Sequence, residues 1–203
     1  MKTLSIWALA LCLAVSGCKK DDETTTNPTP AKPAENPTAK LVETGSYKLV
    51  SLDFSSYKGG EYGYVFSANA DGKITQLGCQ MPETGVYTVS LWDDNAGKLV
   101  RQKTVEQTAP AKATLATIDE LVVSKDKRYV VTVNLTAGGI LKKVYRLDSG
   151  TATLITYPKV VGNVLLVAPK YKYAVSTPTY PDGTDQLTNT FIFGIPDFTF
   201  IPN

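Results

Sequence analysis

The sequence predicts an all-β protein, an antiparallel β-sandwich of jelly-roll or Greek-key type. Three observations predict it. Short runs alternate with a period of two, as in Tyr87, Val89 and Leu91 on one side and Thr88, Ser90 and Trp92 on the other, the signature of a half-buried strand. Turn formers punctuate the runs at Gly59-Gly60, Asp71-Gly72, Asp94-Asn95-Ala96-Gly97, Gly138-Gly139, Asp148-Ser149-Gly150 and Asp182-Gly183. No amphipathic helix pattern follows Ser46, and Tyr, Thr and Val are abundant, as on pleated surfaces.

Taken in order, the chain opens with a processing signal over residues 1–17. Met1-Lys2 gives a positive end, and Leu4 to Val15 gives an apolar core too short to span a bilayer. The segment ends Leu13-Ala14-Val15-Ser16-Gly17-Cys18. Small residues just before a cysteine resemble the lipobox of bacterial lipoproteins, and that resemblance implies cleavage before Cys18 and a lipid on its sulfur. Several acyl chains would anchor the protein firmly where one binds marginally. Lys19-Lys20-Asp21-Asp22-Glu23 is similar to the export signal of some outer-membrane lipoproteins that face the cell exterior. Residues 18–45 are expected to be a tether. Pro28, Pro30, Pro33 and Pro37 interrupt helix and sheet, and apolar residues are few. At ~3.1 Å per residue in polyproline II form, such a spacer holds a domain roughly 60 Å from the membrane.

Residues 46–203 are expected to form one domain. Strands are predicted at 47–54, 63–68, 73–79, 86–92, 98–105, 113–118, 128–135, 140–147, 164–168, 172–176, 190–195 and 197–201. In the strand at 128–135, Tyr129, Val131, Val133 and Leu135 face inward and Val130, Thr132 and Asn134 outward. Phe191, Phe193, Ile195, Phe198 and Phe200 are core residues of the closing strands, with Pro196 at a bend or an edge. The stretch 148–163 is the least regular and suits a long crossover.

Composition excludes several functions. The 203 residues carry a net charge of +2 with no basic block, so no nucleic-acid partner is expected. There is no histidine, which removes His-based acid–base catalysis, Ser-His-Asp triads and imidazole metal sites. Cys12 falls in the leader and Cys18 at the processing site, so Cys79 stands alone and suits a small buried hydrophobe. Asp93-Asp94-Asn95 clusters oxygens, but three consecutive residues suit a solvated turn better than a calcium site. Glu61, Glu83, Asp119 and Glu120 fall in no catalytic motif, so neither an enzyme nor a cofactor is expected.

From 64 to 133 the order of features resembles the bacterial family catalogued as domain of unknown function 4082. The matching pieces are Val65-Phe66-Ser67-Ala68, Asp71-Gly72-Lys73-Ile74-Thr75, Gly85-Val86-Tyr87-Thr88-Val89-Ser90-Leu91-Trp92, Gly97-Lys98-Leu99 and Arg128-Tyr129-Val130-Val131-Thr132-Val133. The resemblance implies an extracellular or surface β-sandwich without an established activity. Family members often carry a tryptophan after the G-x-L segment, whereas 107–116 has none, and 149–203 falls outside the match.

Aromatic residues near turns are the expected ligand contacts: Tyr57, Tyr62 and Tyr64 around Gly59-Gly60, and Tyr157, Tyr171 and Tyr180 in the C-terminal third. Sugar rings stack on exposed aromatics while polar groups read their hydroxyls. Trp92 is expected to be structural. The expected function is a non-catalytic binding sandwich, for carbohydrate or, alternatively, for a protein of the cell envelope.

Overall fold

The computed structural model describes residues 32–56, 59–136, 143–149, 155–183 and 191–203. Cys18 and Tyr57 lie outside them. The described residues belong to one compact unit, Ala31–Asn203. Among the described residues there is one helix, α1 (Pro37–Glu43), and strands β1 (Tyr47–Asp53), β2 (Gly60–Ala68), β3 (Gly72–Cys79), β4 (Gly85–Asp93), β5 (Lys98–Gln107) and β6 (Thr114–Val123). These are followed by β7 (Arg128–Asn134), β8 (Lys143–Ser149), β9 (Lys159–Val161), β10 (Val164–Tyr173), β11 (Ile192–Phe193) and β12 (Pro196–Pro202).

The fold is an antiparallel β-sandwich. One layer is a six-stranded sheet in the order β5-β4-β7-β2-β10-β9. Two three-stranded sheets, β12-β3-β6 and β1-β8-β11, face it across an aromatic seam. Phe66 of β2 stacks on Phe198 of β12 with centroids 4.3 Å apart, and Tyr62 meets Phe193 of β11 at 5.8 Å. The chain passes repeatedly between layers, and β7 returns to sit between β2 and β4, as Greek-key connections require. The alternation expected for β7 holds on its inner face: Tyr129, Val131 and Val133 join the main core. Its other face, expected to point outward, is buried as well: Val130, Thr132 and Asn134 have no exposed surface.

The edges are blunted. In β6 the pairing with β3 slips between Ile74↔Leu121 and Gln76↔Thr117, leaving extra β6 residues opposite Thr75. There the Arg101 guanidinium of β5 bonds the carbonyls of Asp119 at 3.0 Å and Glu120 at 3.1 Å. A bulge and a cation together close that edge to further pairing.

Three expectations need correction. Residues 32–45 are not tether but part of the fold. Pro37 opens α1 rather than preventing it, since its missing N–H is one the first turn leaves unbonded anyway. The carboxylate of Asp197, from the far end of the chain, accepts from the amides of Thr38 at 3.2 Å and Ala39 at 2.9 Å. Glu35 exchanges both backbone bonds with Phe200, and its side chain takes Asn163 N and Nδ2, each at 2.7 Å. Next, the strands expected at 164–168 and 172–176 are one strand, β10. Pro169 is tolerated because β9 partners β10 only as far as Leu166 and a bulge follows. Finally, the supposed crossover contains β9, too short for its alternation to show.

These contacts make a prediction. Leu41, on α1, is 3% exposed, so Leu41→Ala is expected to cost about 2–5 kcal/mol in urea unfolding; a tether residue would cost nothing.

Candidate functional site

The outer face of the six-stranded sheet, away from the two small sheets, carries the least expected chemistry. Glu61 on β2, Asn134 on β7 and Thr88 on β4 stand in one row across the strands. Thr132, Ser90 and Gln102 form the next row. Glu61 has no exposed surface. Its Oε1 accepts the Thr132 hydroxyl at 2.5 Å, and its Oε2 accepts Asn134 Nδ2 at 2.9 Å. The Trp92 indole N–H donates to Thr132 Oγ1 at 2.9 Å. Among the described residues no basic side chain lies within ion-pair distance of Glu61.

A strap over residues 174–183 closes this face. It leaves β10 with Ala174 N on Gly59 O and rejoins it with Gly183 N on Tyr171 O. Between them, the Thr136 hydroxyl donates to Val175 O at 3.0 Å, and the Thr179 backbone bonds Glu61. Tyr180 packs on a small apolar cluster of Val65, Trp92 and Val130. Its hydroxyl donates to Asp94 Oδ1 at 2.8 Å and accepts from Lys170. Gly97 has φ +60, a turn conformation that favours glycine, and it lies against the Tyr180 ring of the strap.

Asp94 is therefore no solvated turn residue. Its side chain, 9% exposed, takes Lys170 at 2.6 Å and Arg128 at 3.2 Å. Burial pushes its carboxyl up, but the bonds from Lys170 and Tyr180 and the charges of Lys170 and Arg128 outweigh that, and it ends below the usual range. Glu61 has only neutral partners, so burial wins and its carboxyl rises to about 7.

The expected aromatic contacts are mostly core. Tyr62, Tyr64 and Tyr171 are buried, and Tyr157 packs against the core. Tyr180 is half-buried under the strap's own contacts. The rings of Tyr62, Tyr64 and Tyr171 are enclosed by packing rather than set in an open groove. Tyr173, another aromatic of the C-terminal third that the sequence reading groups with Tyr157, Tyr171 and Tyr180, is 48% exposed and packs on Tyr171 with centroids 4.4 Å apart. Cys79 is buried, its thiol pushed up by burial to about 12. Among the described residues no three His, Cys, Asp or Glu side chains gather as a metal set. Glu61 itself was passed over. The only signal was one carboxylate between Gly60 and the run Tyr62-Gly63-Tyr64, and the glycine pair made it look like a loop.

No protein-family model matches the chain, and no curated protein matches it either.

Two predictions follow from these side chains. Glu61 is neutral in both states below about pH 4.5; between there and about 7 the unfolded chain ionises first, so its contribution to stability is lost as pH rises through that window. The shift corresponds to about 3 kcal/mol. Glu61→Gln is expected to remove that share of the decline in urea midpoint between pH 4.5 and 8. The Tyr64 hydroxyl is buried with no bonding partner. Tyr64→Phe is therefore expected to stabilise the fold by about 1 kcal/mol, whereas a tyrosine serving as a ligand contact would lose binding without that gain.

Proposed function

We propose that the chain is an outer-membrane lipoprotein, anchored through Cys18 and facing the cell exterior, whose sandwich is a non-catalytic recognition module for a protein partner. The lipobox-like leader, the acidic cluster and the Pro/Thr-rich segment support the anchor and the display. One structural observation carries the rest. Lys32 bonds the Asn203 carbonyl, and Asn203 N bonds Asp71 O, so the described chain begins at the same end of the sandwich where it finishes. The strands β3, β6 and β12 run from there, at Gly72, Val123 and Pro202, to an opposite end at Cys79, Thr114 and Pro196. At ~3.3 Å per residue the two ends lie roughly 23 Å apart. The loops at the far end lie opposite the entry point at Lys32, which supports reading them as the recognition surface.

A non-catalytic role is supported by the placement of the two carboxyls whose pKa burial raises. Glu61 lies outside the six-stranded sheet. Asp197 points away from that sheet, since its neighbour Phe198 is the residue that faces it. The two cannot share a cleft, as paired carboxylates in hydrolases must. The resemblance to the surface family supports the reading only through its fold class.

A glycan ligand is favoured by one observation, the half-exposed Tyr173 ring on Tyr171. The two readings separate in cells and on arrays. A photo-crosslinking residue at position 113, at the far end, is expected to capture one dominant protein on intact cells, with glycan arrays blank. Strong array binding lost in Tyr173→Ala, with no captured protein, would replace the protein reading by the glycan one. Labelling with a palmitate analogue is expected to vanish in Cys18→Ser.

A further inference from the structure

At the far end of the sandwich a pocket of about 220 Å³ opens between α1, the end of β3, and the starts of β6 and β12. It is too small for the drug-sized ligands that fill roughly 300–1,000 Å³, and suits a single long side chain. Ala39, Ala113, Leu115 and Ile195 supply apolar wall, and Asp197 supplies the one charged group.

The walls are fixed in place. Gly194 and Ile195 both have positive φ, +70 and +41. For a β-branched residue just before a proline that is a costly backbone state, held only where the surroundings insist on it. Here the Ile195 carbonyl accepts Gln80 N at 3.2 Å. Gln80 Nε2 in turn bonds Ala111 O at 2.7 Å, and Ala111 N bonds Met81 O at 2.9 Å. The loop beside the mouth is thereby pinned to the end of β3. A pocket built this way needs little ordering when it fills.

Asp197 is 7% exposed. Its Oδ1 takes Thr38 N and Phe198 N, whereas Oδ2 takes only Ala39 N. Among the described residues no basic side chain comes within ion-pair distance of it. Its partners are backbone N–H groups and the Thr38 hydroxyl, none of them charged, and the residue lines the pocket.

We propose that this pocket seats a lysine side chain of the protein partner, its methylene stem against Ala39, Leu115 and Ile195 and its ammonium on Asp197 Oδ2. A lysine matches both parts of the lining, an apolar stem and a terminal cation. A carboxylate that lacks a cation inside its own fold gains most from one supplied from outside. Arginine is the poorer fit, because one oxygen with one free position cannot receive its bidentate fork. The raised pKa of Asp197, pushed up to about 6 by burial, agrees with a site that has no cation of its own.

This inference rests on the protein-recognition reading, and its test separates the two. The probes are Nα-acetyl-lysine methylamide and its norleucine counterpart, titrated by NMR into the chain without its leader and with Cys18→Ser. The lysine amide is expected to shift Thr114, Leu115 and Asp197 amides saturably at millimolar concentration, with the norleucine compound at least tenfold weaker. Ala113→Trp, at the exposed mouth, is expected to abolish the shifts while leaving the fold intact. Asp197→Asn should do the same, with its folding checked separately because it also loses a helix cap. Equal binding of the norleucine compound, or no binding of either, overturns the proposal. Lysine binding without any captured protein in cells retains the pocket chemistry and removes the protein-recognition reading; a captured partner without lysine binding does the reverse.

Discussion

The strand β2 has no solvent face: all nine residues from Gly60 to Ala68 are buried. A strand at a sheet's centre ordinarily shows one side to the core and may leave the other wet. Here both sides must be covered, and much of the architecture answers that requirement. On one side Tyr62, Tyr64 and Phe66 take their cover from two small sheets at once, which is why the second layer continues through β11 into β12 around the Gly194-Ile195 turn. On the other side the cover is a strap without regular structure. It can hold its place only by bonding, and the bonds it finds are to Glu61, Asp94, Lys170 and Lys172.

The three enclosed carboxyls show how partner chemistry decides the outcome of burial. Asp94, Glu61 and Asp197 all lose water. Asp94 recovers the cost from two cations and is held ionised. Glu61 and Asp197 meet only neutral donors and rise. They differ in what lies beyond those donors. Glu61 is sealed by the strap, so its acidity is a matter of stability. Asp197 borders the pocket, where the proposed lysine would meet it. The same physics gives a structural group in one place and a recognition group in another.

Much of the sheet architecture was legible in the sequence, because strands with one inner face carry a period-two pattern and their turns carry Gly, Asp and Asn. What was not legible depended on distant residues. The helix α1 is too short to show a period, and its cap is Asp197, near the other end of the chain. The start of β2 was placed at Gly63 rather than Gly60, because a glycine pair and a glutamate look like loop until the strap that buries them is known. Tyrosine was the most misleading signal. Its amphipathic ring suits a core rim and a ligand platform equally, and no local feature separates Tyr62, buried at 2%, from Tyr173, exposed at 48%. Nor could the pocket be read in advance, since its lining comes from four separate stretches brought together by register alone.

The clasp formed by residues 32–39 connects this fold to its proposed role. A tether that ran straight into β1 would leave the domain free to swivel about one covalent joint. Instead Glu35 pairs with Phe200 and grips Asn163, Asn36 bonds Phe198 O and Thr199, and Asp197 caps α1. The segment that would carry any pull from the membrane is thus fastened to both layers before it enters the first strand. Antiparallel pairing then fixes which loops lie with the entry point and which lie opposite. Asp197 belongs to both parts of this arrangement: its carboxylate holds the helix that anchors the clasp, and the residue lines the pocket at the far end. The proposed lysine would therefore meet the same carboxylate that holds α1 against β12.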